Sequence, residues 1–265
     1  MGDQRPIGIF DSGVGGLTVV KTLLTRLPGE SFVYFGDTAH VPYGSKTREQ
    51  LFQYADEIVN FLLEKDVKAI VVACGTHSSV TLPSLQQECE VPVLGVVQPG
   101  ARAALQVSKN KRIGIIATKA TVNSGAYRRY IEEKDSESQV FQVACSRFVP
   151  LVESGKLQTD EARQAVSDYV SPLVDKGIDT LVMGCTHYPF LAPLIKELIG
   201  PNVTLLDPGI ETIEELHYIL LKSNLLNDQG GTSREFWVSG DDRSFFNVGN
   251  LLLGNIIEKV ENIML

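Results

Sequence analysis

The fold class this chain predicts is α/β, built as two similar units with mainly parallel sheets. A pseudo-twofold axis would relate the units, with an active site in the cleft between them. Three observations carry that expectation. Short β-branched runs alternate with helical apolar periodicity along the chain, which is the pattern of parallel α/β architecture. Ile7-Gly8-Ile9 recurs as Ile113-Gly114-Ile115, 106 residues on. A strand-like run ending in Cys74-Gly75-Thr76-His77 recurs 111 residues on as one ending in Cys185-Thr186-His187-Tyr188. Two landmarks with similar offsets point to two related units. The expected domains are 1–97 together with 208–265, and 98–207.

Composition narrows the class. With 265 residues, 43% hydrophobic and 21% charged, the chain has the balance of a soluble enzyme with a sizeable core. No apolar stretch approaches the roughly 20 residues that span a bilayer, and the first residues carry no signal-peptide pattern, so a cytoplasmic protein is expected. Cysteines in that compartment stay reduced, and none of the four forms a C-x-x-C pair, which weakens zinc and redox readings. A net charge of −8 argues against nucleic-acid binding, which relies on clustered cations. Arg128-Arg129 and Lys109-Lys111-Arg112 read as solvated faces.

Taken in order, strand 6–11 leads through Asp11-Ser12-Gly13-Val14-Gly15-Gly16 into helix 15–27. The glycines permit close backbone approach to a ligand, but the spacing is not that of a nucleotide loop and no Walker lysine follows. Asp11 would repel phosphate. It suits a substrate ammonium or a hydrogen bond near a thiol, or it caps the helix. Strand 31–36 ends in Gly36-Asp37-Thr38-Ala39-His40-Val41-Pro42-Tyr43-Gly44, a tight turn from which Tyr43 and the Gly44 backbone reach the cleft. Asp37 and His40 are read equally as functional or structural.

Helix 47–65 precedes strand 67–73 and Cys74, and helix 78–88 follows. Strand 92–97, helix 99–109, strand 112–117, helix 123–133 and strand 138–143 come next. Pro150-Leu151-Val152-Glu153-Ser154-Gly155-Lys156 reads as a loop whose Glu153 can orient His187. Helix 159–175, strand 178–184 with Cys185, helix 190–199, strand 203–206 and helix 208–222 complete the second series. Residues 227–232 read as an irregular turn-rich loop. The tail, with Glu235-Phe236-Trp237-Val238-Ser239, is expected to return to the first unit.

A lone cysteine is most often a buried inert thiol, and Cys89 and Cys145 are read that way. Two cysteines in matched settings suggest chemistry that needs the same group twice, such as moving a proton from one face of a carbon to the other. Carboxyl ends of parallel strands are where ligands usually bind. Thr76, Thr186 and the free N–H groups beyond each cysteine suit a substrate carboxylate. A following helix start lowers a thiol pKa, and His187 sits close enough to tune Cys185.

At these residues the chain closely resembles the glutamate racemases, of the cofactor-independent aspartate/glutamate racemase superfamily. The resemblance runs nearly end to end. It rests on Gly8-Ile9-Phe10-Asp11-Ser12-Gly13-Val14-Gly15-Gly16-Leu17-Thr18, on Gly36-Asp37-Thr38 with Pro42-Tyr43-Gly44, on Gln98-Pro99-Gly100-Ala101, on Val152-Glu153-Ser154-Gly155, and on Gly184-Cys185-Thr186-His187-Tyr188-Pro189. It implies Cys74 and Cys185 as the acid/base pair, with Asp11 assisting at Cys74 and Glu153 and His187 at Cys185. Asp11, Ser12, Tyr43, Gly44, Gly75, Thr76, Thr186 and His187 would bind substrate, and Thr118 and Thr121 match a segment that lines the pocket. It further implies interconversion of L- and D-glutamate without pyridoxal phosphate or any other cofactor. The product would serve peptidoglycan biosynthesis, hence cell-wall biogenesis and cell shape, and the enzyme would be a homodimer. No metal site, nucleic-acid partner or membrane partner is expected.

One departure is specific to this chain. The family usually carries Ala-Cys-Asn-Thr-Ala at the first cysteine, where this chain has Ala73-Cys74-Gly75-Thr76-His77. Gly75 offers a backbone N–H but no amide side chain. His77 either fills the vacated space or packs away at the helix start. Other readings of the residues are aspartate racemisation, a single cysteine nucleophile in acyl transfer, and a non-enzymatic amino-acid-binding protein.

Overall fold

The computed structural model describes residues 2–228 and 232–265; Gln229, Gly230 and Gly231 of the expected loop lie outside them, as do the side chains of residues 252 and 253. Two parallel sheets are present. In the first, β1 (Ile7–Asp11) lies between β2 (Phe32–Gly36) and β3 (Ala69–Val72), and β4 (Val93–Gly95) pairs with β3. In the second, β5 (Arg112–Ala117) lies between β6 (Gln139–Ala144) and β7 (Thr180–Met183), and β8 (Thr204–Leu206) pairs with β7. In both, the order is second, first, third, fourth. The sequence repeat is therefore a repeat of topology: Gly8 pairs with Ile70 on the third strand of its sheet and Gly114 with Leu181 on the third strand of its own. Each third strand ends two residues before a cysteine.

The tail extends the first sheet. β9 (Arg234–Val238) pairs with β2, and β10 (Glu261–Asn262) pairs with β9. Strands covered on both faces read as continuous apolar runs rather than alternating ones. Ile7, Ile9, Ala69 and Val71 enter one core with α1 (Leu17–Arg26), while Phe10, Ile70 and Val72 enter another under α2 (Arg48–Glu64). The second sheet divides likewise: Leu181 and Met183 pack on α9 (Asp160–Val174) and α10 (Ala192–Ile199), and Ile113, Ile115 and Val182 face α5 (Val97–Val107). Helix starts are chemically marked. Thr47 and Gln50 form a capping box on α2, and Thr159 caps α9 ahead of Asp160 and Glu161, which favours the positive end of the helix.

Several boundaries differ from expectation for local reasons. The helix expected at 78–88 begins at Gly75 and is two, α3 (Gly75–Val80) and α4 (Leu82–Glu88). Pro83 sits in the first turn of α4, where its missing N–H is harmless, whereas a continuous helix would lose a hydrogen bond there. The helix expected at 123–133 is also two, α6 (Lys119–Ser124) and α7 (Ala126–Lys134), separated by left-handed Gly125. The first helix opens with a 3₁₀ turn at Val14–Gly16. The expected loop around Glu153 is instead α8 (Phe148–Glu153), with Phe148, Leu151 and Val152 buried. Pro150 in so short an apolar run hid it. α11 (Pro208–Lys222) packs on both α1 and α5, and α12 (Asp242–Leu253) follows β9. Among the described residues no helix is long and apolar enough to cross a membrane.

Candidate active site

The carboxyl ends of the two sheets face one cavity of about 240 Å³, small beside the sites that hold drug-sized ligands. Cys74 and Cys185 both line it, as do Asp11, Ser12, Tyr43, Gly44, Gly75, Thr76, Thr118, Thr186 and His187. The residues flagged from sequence thus converge from five loops, with two exceptions. Thr121 is fully buried behind the wall. Its hydroxyl accepts from Thr118 Oγ1 at 3.0 Å and its backbone N–H donates to the same atom at 3.2 Å, so it fixes Thr118 and does not line the pocket. Glu153 also lies outside the wall and meets it through His187. Ser45, Lys119, Ser146, Val149 and Pro150 line the cavity too. Sequence reasoning missed them because none belongs to a motif of its own; adjacency to Gly44, Thr118 and Cys145 was the available signal.

Hydrogen bonds cross the cleft, among them one from the Thr18 hydroxyl to the Thr186 carbonyl at 3.4 Å. Thr76 and Thr118 share one at 3.0 Å between their hydroxyls, and Thr186 Oγ1 donates to Asp11 Oδ1 at 3.3 Å. Asp11 is fully buried at the end of β1, where its Oδ2 accepts the Gly16 N–H at 2.8 Å. It therefore holds the glycine turn and reaches the opposite unit at once. Burial raises its carboxyl pKa, although His187 and the turn N–H groups pull the other way.

The two thiols sit in different fields. Burial, reinforced by the Asp11 charge, pushes the Cys74 thiol well above its ordinary value, and the N–H groups of His77 and Thr76 do not offset it. The expectation that the helix start would lower this thiol is therefore corrected: desolvation outweighs the dipole of a six-residue helix. At Cys185, Sγ lies 3.8 Å from His187 Nδ1, and His187 Nε2 lies 2.7 Å from Glu153 Oε1. Burial alone would lower the His187 pKa, but its hydrogen bonds to Cys185 and Glu153 prevail and raise it well above the usual value. A buried imidazole thus stands between sulfur and carboxylate. The turn at Gly15 packs so closely on the His187 ring that a Cβ there would overlap it, so the first unit clamps a side chain belonging to the second.

Asp37 and His40 prove to be supports. Neither lines the cavity. The Tyr43 hydroxyl donates to Asp37, which also accepts from Ser239 at the end of β9 at 2.6 Å and pairs with His40 Nδ1 at 2.8 Å. His77 packs away from the site. It is buried between Phe10 and Tyr43, its Nδ1 lies 3.2 Å from Thr81 Oγ1, and burial lowers its pKa to about 3. Cys145 is a buried core thiol and Cys89 is half-buried; neither lines the cavity. Among the described residues no group of three or more metal-ligating side chains is present.

Two topologically equivalent units that bring a thiol each to one cavity define a class, and a family model agrees. The model described as Asp/Glu/Hydantoin racemase matches residues 12–216, and the chain belongs to that family. Within it, the glutamate racemases are the near relatives. The enzyme of Thermoanaerobacter pseudethanolicus is 45% identical over 99% of this chain and 97% of its own. The crystal structure of glutamate racemase isoform RacE1 from Bacillus anthracis superposes with a TM-score of 0.96, at 38% identity over 99% of this chain and 98% of that one. That of Francisella tularensis, solved in complex with D-glutamate, has a TM-score of 0.92 at 35% identity, covering 98% of each chain. The reaction class is accordingly isomerisation, with glutamate racemase activity.

Proposed function

We propose that this activity proceeds by two-base proton transfer between Cys74 and Cys185, without a cofactor. The observation that carries the reading is the presence of both thiols in one cavity, each two residues beyond the third strand of its sheet. One sulfur, as thiolate, takes the α-proton of glutamate; the other, as thiol, gives its proton to the opposite face. The S–H bond formed on one side matches the one broken on the other, so the cysteines finish with roles exchanged. The hard step is carrying negative charge on the substrate carboxylate. Thr76, Thr186 and the N–H of Gly75 line the cavity at hand, and donors in an enclosed site act strongly on developing charge. Asp11 supports Cys74, and Glu153 acts through His187 at Cys185. Lys119, exposed at the rim, is the cation available to the distal carboxylate.

The division into 1–97 with 208–265 and 98–207 belongs to the same proposal, with α5 at the seam between α11 and α7. So do a cytoplasmic homodimer and supply of D-glutamate to peptidoglycan, carried by resemblance to the relatives. The deciding experiment follows the circular dichroism of L- and D-glutamate with purified protein and no added cofactor, with L- and D-aspartate run in parallel. Racemisation of aspartate at the higher kcat/KM would overturn the substrate assignment. Full activity in Cys74→Ser or Cys185→Ser would overturn the mechanism.

A further inference from the structure

Two cavities beside the site are lined with acids. Glu153 and Asp241 line one of about 230 Å³, and Asp37 and Glu57 line another of about 270 Å³. A third, of about 410 Å³, carries the other sign: Lys46, Arg48 and Arg129 line it and no carboxylate does. Glu49 follows Arg48 in the chain but is not part of the wall. In a chain of net charge −8, cations elsewhere find acids: Lys65 pairs with Glu235, Arg102 with Glu215, Lys111 with Glu137 and Arg163 with Glu197. Among the described residues, Lys46, Arg48 and Arg129 form no ion pair. Arg48 lies over the Phe52 ring and Arg129 donates to the Ser124 carbonyl, which leaves most of their N–H groups unused. Asn123 adds an amide to the same wall. Cations gathered around one concavity repel one another, and a bound anion relieves that repulsion. Guanidinium forks match the paired oxygens of phosphate and carboxylate groups.

The wall is built from both halves of the molecule. Lys46, Arg48 and Ser79 come from segments that join strands of the first sheet, and Asn123 and Arg129 from α6 and α7 of the second. It also adjoins the cysteine cavity. Ser45 lines that cavity and Lys46 this one; Lys119 lines that cavity and Ala120 this one. Ser79 Oγ donates to the Gly75 carbonyl at 2.6 Å, which ties the cationic wall to the turn beyond Cys74. We propose that this cavity binds a small multivalent oxyanion, of phosphate or polycarboxylate type, which bridges the two halves and favours the closed cleft. An anion held by Arg48 on one side and Arg129 on the other loses one of them when the halves part, so the anion and glutamate strengthen each other's binding. The cavity contains neither cysteine, so failure of this inference leaves the two-cysteine reading untouched.

Calorimetric titration of the full chain with pyrophosphate, and separately with citrate, tests it. At least one should bind saturably, and the tighter of the two identifies the kind of oxyanion. Arg48→Gln and Arg129→Gln should each weaken that binding about tenfold, the size of one hydrogen bond to a charged group. Arg48→Lys and Arg129→Lys keep the charge and should weaken it less. Both side chains are exposed, and cooperative thermal unfolding checks that each variant is folded. Saturating D-glutamate should tighten binding of the anion about fivefold. Saturable binding of neither anion overturns the proposal, as does binding undiminished when both arginines are replaced by Gln. Binding that glutamate leaves unchanged removes the bridge and overturns it too, and binding that glutamate weakens places the anion in the cysteine cavity instead.

Discussion

The two sulfur-bearing faces of the cleft share a strand order but not an environment. Cys74 has a buried carboxylate beside it and a thiol held protonated by burial and by that charge. Cys185 has an imidazole whose pKa is raised by its hydrogen bonds to the sulfur and to Glu153, and that carboxylate reaches a second cavity. Duplicated topology thus supplies two equivalent positions, and local substitution gives one sulfur a carboxyl neighbour and the other an imidazole. A reaction that runs both ways needs the same group on each side. It does not need those groups to have like neighbours, and here a buried carboxylate stands on one side and a histidine–glutamate pair on the other.

The sharpest break to this comparison is removal of either sulfur. Cys74→Ser and Cys185→Ser should each lower kcat about 10³-fold or more, because a serine is a far weaker acid and base; steady-state dichroism in both directions checks it. Next, His187→Asn should cost about 10²-fold and Asp11→Asn less, with the first lowering turnover at Cys185 specifically, read as a change in the primary deuterium isotope effect for one enantiomer only. Gly75→Ala follows. A Cβ at 75 would overlap the Gly184 carbonyl across the cleft, so closure must relax. Since a shift of about 1 Å in a reacting group is costly, kcat should fall about tenfold while KM moves little. Faster alkylation of Cys74, followed by peptide mass mapping, would show that the cleft has been propped open.

The smallest effect concerns stability. Burial holds His77 at about 3, against roughly 6.5 in an unfolded chain. Between those values the unfolded chain binds a proton the folded one does not. Stability from this group is therefore complete above about pH 6.5 and falls as pH drops, by at most about 1.4 kcal/mol per unit. His187, with its raised pKa, acts oppositely and in the adjoining window: its contribution is full below about pH 6.5 and is lost as pH rises through the folded value. Chemical denaturation of His77→Gln beside the parent at pH 6.5 and 5.5 checks the first slope; an unchanged difference between them rules it out.

Much of this was legible in the chain. The paired apolar runs, the recurrent Ile-Gly-Ile and the two cysteines were enough for a duplicated parallel fold, because strands buried on both faces announce themselves without knowledge of their partners. Glu153 and His187 were paired from sequence because their side-chain chemistry suggested it. What stayed hidden depends on contact at a distance. That Asp37 holds Tyr43 needs the meeting of Ser239 with the end of β2, some 200 residues away along the chain. That Thr121 stands behind Thr118 is a matter of which side of a six-residue helix faces the cleft. The raised thiol of Cys74 could not be read at all, since a helix start and a buried setting push in opposite directions and only the coordinates decide between them.

Thr76 to Thr118 and Thr186 to Asp11 are side-chain hydrogen bonds joining the two halves over the pocket. At about 1 kcal/mol each, an opening motion that breaks only these two would leave on the order of one molecule in thirty ajar. Such a minority suffices to admit an amino acid on the microsecond-to-millisecond scale of domain motion. It also means that turnover in the forward sense can be throttled by the latch as readily as by the chemistry, so a variant missing both hydroxyls would exchange ligand faster while holding it less well.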